Sequence, residues 1–91
     1  MTTPLTEKDI VAQLAQVPSW RRSGKSIVLV KKFGTFLEAI AFVNHVAKLA
    51  DPVDHHPDIL IQYTRVTLTL STHSAGGLTE LDFSLAQKIG A

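Results

Sequence analysis

Three of the chain's four histidines, His55, His56 and His73, bracket one apolar, strand-like run, "DHHPDILIQYTRVTLTLSTH". Imidazole titrates near neutral pH, so such a group can move protons in a reaction or ligate a metal. Folded as a hairpin, the run brings the three rings to its open end, beside Pro57, the Gly76-Gly77 pair and the start of the last helix. A two-residue turn at Thr64-Arg65 pairs Tyr63 with Val66, Ile61 with Leu68 and Ile59 with Leu70, and sets His56 opposite His73. Thr-Arg is poor chemistry for so tight a turn, which leaves room for a slip of one or two residues; a slip of one sets His55 opposite instead. Three imidazoles with one open position are also a zinc arrangement. Against that, adjacent ligands are not the usual zinc spacing, and strand alternation sends His55 and His56 to opposite faces unless Pro57 bends the chain. Because the cluster lies outside the expected core, its histidines should contribute little to stability. His45, inside a helical segment, reads as an exposed residue with no part in the cluster.

The elements that must position these rings follow from periodicity and punctuation. Thr6 with Asp9, Thr35 with Glu38, and Thr79 with Asp82 each place an acidic residue three positions after a hydroxyl, a helix-start device. Only the middle pair has the usual Glu. The first helix, near Thr6 to Gln16, should bury Ile10, Leu14 and Val17 and stop at Pro18. The second, near Thr35 to Ala50, carries Phe36, Ile40, Val43, Val46, Ala47 and Ala50 at helical spacing, widened by Phe42 and Leu49. The third, near Thr79 to Ile89, aims Leu81, Leu85, Ala86 and Ile89 inward, with Gly90 as its cap. Asp82 is explained as a helix N-terminal residue. "WRRSGKSIVLVKKF" reads as a hairpin turning at Ser23-Gly24, and alternation in the second hairpin puts Ile59, Ile61, Tyr63, Val66, Leu68 and Leu70 on one face and Gln62, Thr67, Thr69 and Ser71 on the other. The expected fold class is α+β, in the order αββαββα: a four-stranded antiparallel sheet with three helices packed on one face.

Composition sets the outer limits. With 91 residues, 45% of them hydrophobic and 19% charged, one domain spanning residues 1–91 is expected. A domain of this size gains from self-association. Nine basic against eight acidic residues, with no basic run, argue against direct nucleic-acid binding. The absence of cysteine excludes thiolate metal sites, thiol nucleophiles and disulfides. Neither a leader-like segment nor an apolar run of membrane-spanning length is present, so a cytoplasmic location is expected, without membrane association.

The run "DPVDHHPDILIQYTRVTLTLSTHSAGGLTELD" resembles the signature of the pterin-4a-carbinolamine dehydratases: Asp51, His55, His56, Pro57, Tyr63, His73 and Asp82 fill its positions. The likeness extends upstream through "FVNHVAKLAD" and Trp20. It implies a hydro-lyase that removes water from 4a-hydroxytetrahydropterin to give a quinonoid dihydropterin, supporting pterin recycling for an aromatic amino acid hydroxylase. By the same resemblance His55, His56 and His73 are catalytic, with His55 and His73 as the acid/base pair and His56 positioning the pterin. Asp51, where the family usually carries Glu, Trp20, Pro57, Ser71 and Thr72 bind or orient the substrate. No metal and no cofactor is implied, and the expected assembly is a homodimer or dimer of dimers. Animal members of the family also act as dimerization cofactors of a transcription factor, so a non-catalytic binding or assembly role is the alternative.

Overall fold

Threonine hydroxyls start the helices. In the computed structural model, which describes residues 3–91, α1 (Glu7–Leu14) follows Thr6, α2 (Phe36–Ala50) follows Thr35 and α3 (Glu80–Ile89) follows Thr79, each capping threonine in extended backbone. Thr6 Oγ1 accepts the Asp9 N–H and Thr35 Oγ1 the Glu38 N–H, each satisfying a helix-end donor that has no intrahelical partner. The reciprocal box forms at the third start rather than the second, for the Asp82 carboxylate returns to the Thr79 N–H at 2.9 Å. The Asp82 side chain that makes this contact is fully buried.

Between the helices run β1 (Arg21–Ser23), β2 (Ser26–Lys32), β3 (Asp58–Gln62) and β4 (Arg65–Leu70), giving the expected order αββαββα. They form one antiparallel sheet in the order β1-β2-β4-β3. The core is the helix-covered face of that sheet: Ile27 and Leu29 of β2 and Val66, Leu68 and Leu70 of β4 pack against Ile10, Ala39, Val46, Phe83, Leu85 and Ala86. On the other face Val30 and Leu60 are exposed.

Both hairpin turns differ from the sequence reading. The first falls at Gly24-Lys25, since Ser23 pairs with Ser26, and Gly24 takes the positive φ of 60° that glycine tolerates. The second falls at Tyr63-Thr64, with Gln62 paired to Arg65, Ile61 to Val66 and Ile59 to Leu68, a slip of two residues. A two-residue slip preserves the alternation, so Val66, Leu68 and Leu70 keep the buried face. It moves Tyr63 into the turn, where φ is 55° and the residue is 74% exposed, and it leaves Ile59 partly exposed on the edge strand. On helix α2, Val46 and Ala50 are buried as expected, whereas Phe36 and Ala47 are exposed and Ala39, outside the expected stripe, is buried. A small alanine at position 39 lets the helix lie close to the sheet. In α3, Phe83 and Asp82 are buried and Leu81 is exposed.

A forked ion pair from Arg22 to both carboxylate oxygens of Glu7 ties β1 to α1. The guanidinium holds the Glu7 carboxyl below its ordinary range and is itself raised. With the folded value depressed, the pair's stabilisation is present above the unfolded carboxyl's pKa and fades as pH falls through the folded one. The pair is exposed, so that contribution is small.

Leu68 is fully buried at the sheet centre whereas Leu60 is 53% exposed. Urea denaturation should show Leu68→Ala losing about 2–5 kcal/mol, and Leu60→Ala within about 0.5 kcal/mol of the parent, as is usual at the surface.

Candidate functional site

The chain reaches the histidines through a sharp reversal. After α2 a 3-10 turn spans Asp51–Val53, and Asp54 closes it in the left-handed region at φ 50°, which aspartate tolerates better than most residues. The His55 N–H then returns to the Ala50 carbonyl at 3.3 Å. Alternation beyond that point turns His55 inward and His56 outward. Across the sheet, β4 ends at Leu70 and runs into a closed loop in which Thr72 and Gly77 exchange backbone hydrogen bonds. A 3-10 turn at His73–Ala75 occupies the loop, and Gly76 ends it at φ 70°.

His55 is 9% exposed and Asp82 is fully buried. His55 Nε2 lies 2.6 Å from Asp82 Oδ1. The other oxygen, Oδ2, accepts the Thr72 hydroxyl at 2.8 Å and the Thr79 N–H at 2.9 Å. Thr72 Oγ1 and Thr79 Oγ1 are 2.8 Å apart, and Thr79 Oγ1 also accepts the Leu81 N–H at 3.2 Å. Among the described residues no buried side-chain nitrogen or oxygen lacks a partner. Among the described residues His55 Nδ1 has no hydrogen-bond partner, which leaves it to the surface.

The other two imidazoles sit differently. His56 Nε2 is 3.2 Å from Asp51 Oδ1, with both side chains exposed. His73 is exposed and lines a shallow recess of about 280 Å³ with Lys25, Ser26, Ser71, Thr72, Gly76 and Gly77. Thr72 thus belongs to both the buried network and the recess. No three His, Asp or Glu side chains among the described residues are grouped as a metal ion would need; one ring points inward and two outward.

The structure therefore gathers the predicted site residues unequally. His55, Thr72, Ser71 and His73 converge on the open end of the second hairpin, as expected, although strand pairing stops at Asp58 with Thr69 and does not set His56 opposite His73. Pro57 is half-buried between His56 and the start of β3. Asp51 lies beside His56, the outward-facing imidazole. Trp20 stands apart: it is 4% exposed within the hydrophobic core, and its indole N–H donates to the Gly90 carbonyl at 2.8 Å. That placement gives it a packing role. His45 is exposed on α2, as read.

Asp82, which the sequence reading explained as a helix N-terminal residue alone, is also the partner of His55. Its spacing from Thr79 accounts for the cap, but a carboxylate has two oxygens, and the cap uses one. The signal was available in the aspartate's place in the resembled pattern. The expectation that the histidines contribute little to stability is likewise corrected for His55, whose loss would strip a buried carboxylate oxygen of its partner.

A family model described as pterin 4 alpha carbinolamine dehydratase matches residues 3–91. The chain belongs to that family. A Chloroflexus aurantiacus protein, named provisionally as a pterin-4-alpha-carbinolamine dehydratase, is 54% identical over 85 residues, which cover 93% of this chain and 91% of that one. The crystal structure of a Brucella melitensis transcriptional coactivator/pterin dehydratase is 36% identical, covers 96% of this chain and 95% of its own, and superposes with a TM-score of 0.91. A second structure, of a pterin dehydratase-like protein identified as a RuBisCO assembly factor in the alpha-carboxysome, is 28% identical over 78% of this chain and 84% of its own, with a TM-score of 0.65.

Denaturation of single variants separates the three rings. His55→Ala should cost about 1–3 kcal/mol, the penalty of an unsatisfied buried polar group, whereas His56→Ala and His73→Ala should stay within about 0.5 kcal/mol.

Proposed function

We propose that the protein dehydrates 4a-hydroxytetrahydropterins to quinonoid dihydropterins by histidine acid/base catalysis, supporting pterin recycling for an aromatic amino acid hydroxylase. The observation that carries this reading is a buried imidazole fixed on a fully buried carboxylate with one ring nitrogen left open, joined through Thr72 to the recess that holds His73. Family membership supplies the substrate class.

The reaction moves two protons. One leaves a ring nitrogen of the pterin while another reaches the departing hydroxyl, and groups titrating near neutrality suit both tasks. In this reading His55, anchored and directed, takes the nitrogen proton, and His73, exposed in the recess, delivers a proton to the leaving hydroxyl. His56, steadied by Asp51, positions the pterin, with Ser71 beside it. No metal and no cofactor takes part, and the protein works in the cytoplasm.

Assembly as a homodimer or dimer of dimers belongs to the same reading. Edge strand β1 has three residues, Arg-Arg-Ser, whereas edge strand β3 has five, with Ile59 and Leu60 exposed. The longer apolar edge is the one suited to pairing across a two-fold axis. Light scattering at high micromolar concentration should give a dimer or tetramer mass, and a monomer alone would contradict it.

A binding or assembly role is the second reading, favoured by the likeness to the RuBisCO assembly factor. Such a role would not need the histidines, all three of which are present here. A direct assay of 4a-hydroxytetrahydropterin dehydration decides between the two. The chelator-treated protein should remain active, and His55→Ala and His73→Ala should each slow the catalysed reaction by about 100- to 10,000-fold, as loss of a proton-transfer group does. Rates no faster than spontaneous dehydration for the parent chain would favour the binding role, and activity lost on chelation and restored by zinc would point to a Lewis acid.

A further inference from the structure

The hydroxyl chain at the start of α3 has only one consistent set of proton positions. Thr72 has a single hydroxyl hydrogen and gives it to Asp82 Oδ2. The contact between Thr72 Oγ1 and Thr79 Oγ1 must then use the Thr79 hydrogen, while Thr79 Oγ1 accepts from the Leu81 N–H. The chain therefore runs one way, from the Leu81 amide through Thr79 and Thr72 to the carboxylate. Aligned hydrogen bonds of this kind strengthen one another. With the Thr79 N–H also on Oδ2, two donors converge on that oxygen and Asp82 is an acceptor on that side. The proton in the 2.6 Å contact at Oδ1 then belongs to His55 Nε2, which leaves Nδ1 as the nitrogen turned away from Asp82.

We propose that Thr72 is a positioning residue of the reaction: its hydroxyl, directed by Thr79, keeps Asp82 an acceptor and so holds His55 in the Nε2–H form that offers Nδ1 to the substrate. The proposal rests on the reading of His55 as the group that takes the pterin nitrogen proton. Thr72 itself touches no reacting atom, since its hydroxyl is spent between Asp82 and Thr79. Without that hydroxyl, Oδ2 keeps only the amide donor. The arrangement that takes up one proton from solvent, with one proton on the carboxyl facing Nε2 and the other on the ring as Nδ1–H, then gains ground, and it closes the nitrogen that the substrate needs.

Nitrogen-15 NMR of the histidine-labelled full chain reads the tautomer without any substrate. In the parent chain at neutral pH, His55 should show Nε2 as the protonated nitrogen and Nδ1 as the imine-type one. In Thr72→Val the His55 signals should move toward the opposite tautomer. The kcat for 4a-hydroxytetrahydropterin should fall about 10-fold, the scale of losing a group that orients a reacting residue, with a changed pH profile and little change in KM. Thr72→Ser, which restores the hydroxyl, should bring tautomer and rate back toward the parent. An Nδ1–H ring in the parent would overturn the proposal, as would an unmoved tautomer in Thr72→Val or a serine variant as impaired as the valine one. Should Thr72→Val fail to fold, the parent spectrum and the serine variant still decide. A chain with the expected tautomers that dehydrates nothing would instead overturn the dehydratase reading and uphold the tautomer assignment.

Discussion

The Asp82 carboxylate is the point on which the site depends. A fully buried carboxylate is costly unless its oxygens are satisfied, and here the partners come from three places: the end of α2 through His55, the loop after β4 through Thr72, and the first turn of α3 through Thr79. One group thus caps a helix, fastens the hairpin's open end and fixes an imidazole. These tasks share the same hydrogen bonds, so the site's geometry is as rigid as the packing that encloses it.

That sharing divides the three histidines. His55 is part of the folded interior and presents one nitrogen outward. His56 and His73 lie on the surface, free to meet a ligand and costing the fold little. A site built in this way can hold one proton-transfer group in a set orientation while leaving others to adjust to the substrate.

Much of this was legible in the sequence. The helix starts at Thr6, Thr35 and Thr79 could be read because capping is local, a matter of residues three apart. The buried row Val66, Leu68 and Leu70 could be read because alternation survives a two-residue slip. The turn itself could not, since neither Thr64-Arg65 nor Tyr63-Thr64 carries a strong turn signal, and the choice fell to strand pairing with β2 as well as β3. The face of α2 was misjudged at Phe36 because large apolar side chains mark hydrophobicity, whereas close packing on the sheet selected Ala39. At the site, gathering the histidines needed only the hairpin. The His55–Asp82 contact joins residues 27 apart, and no local rule assigns the second oxygen of a capping aspartate. Trp20 shows the reverse limit: resemblance suggested a ligand contact, and burial with a bond to Gly90 gives packing.

The central claim, that pterin chemistry takes place at the nitrogen of His55 turned away from Asp82, is tested most directly by a crystal structure with a non-reacting dihydropterin bound. The account places a pterin ring nitrogen within hydrogen-bond distance of His55 Nδ1 and the reacting carbon facing His73, with the Asp82 contacts intact. A pterin bound elsewhere on the chain, or one that draws His55 off Asp82, would contradict it.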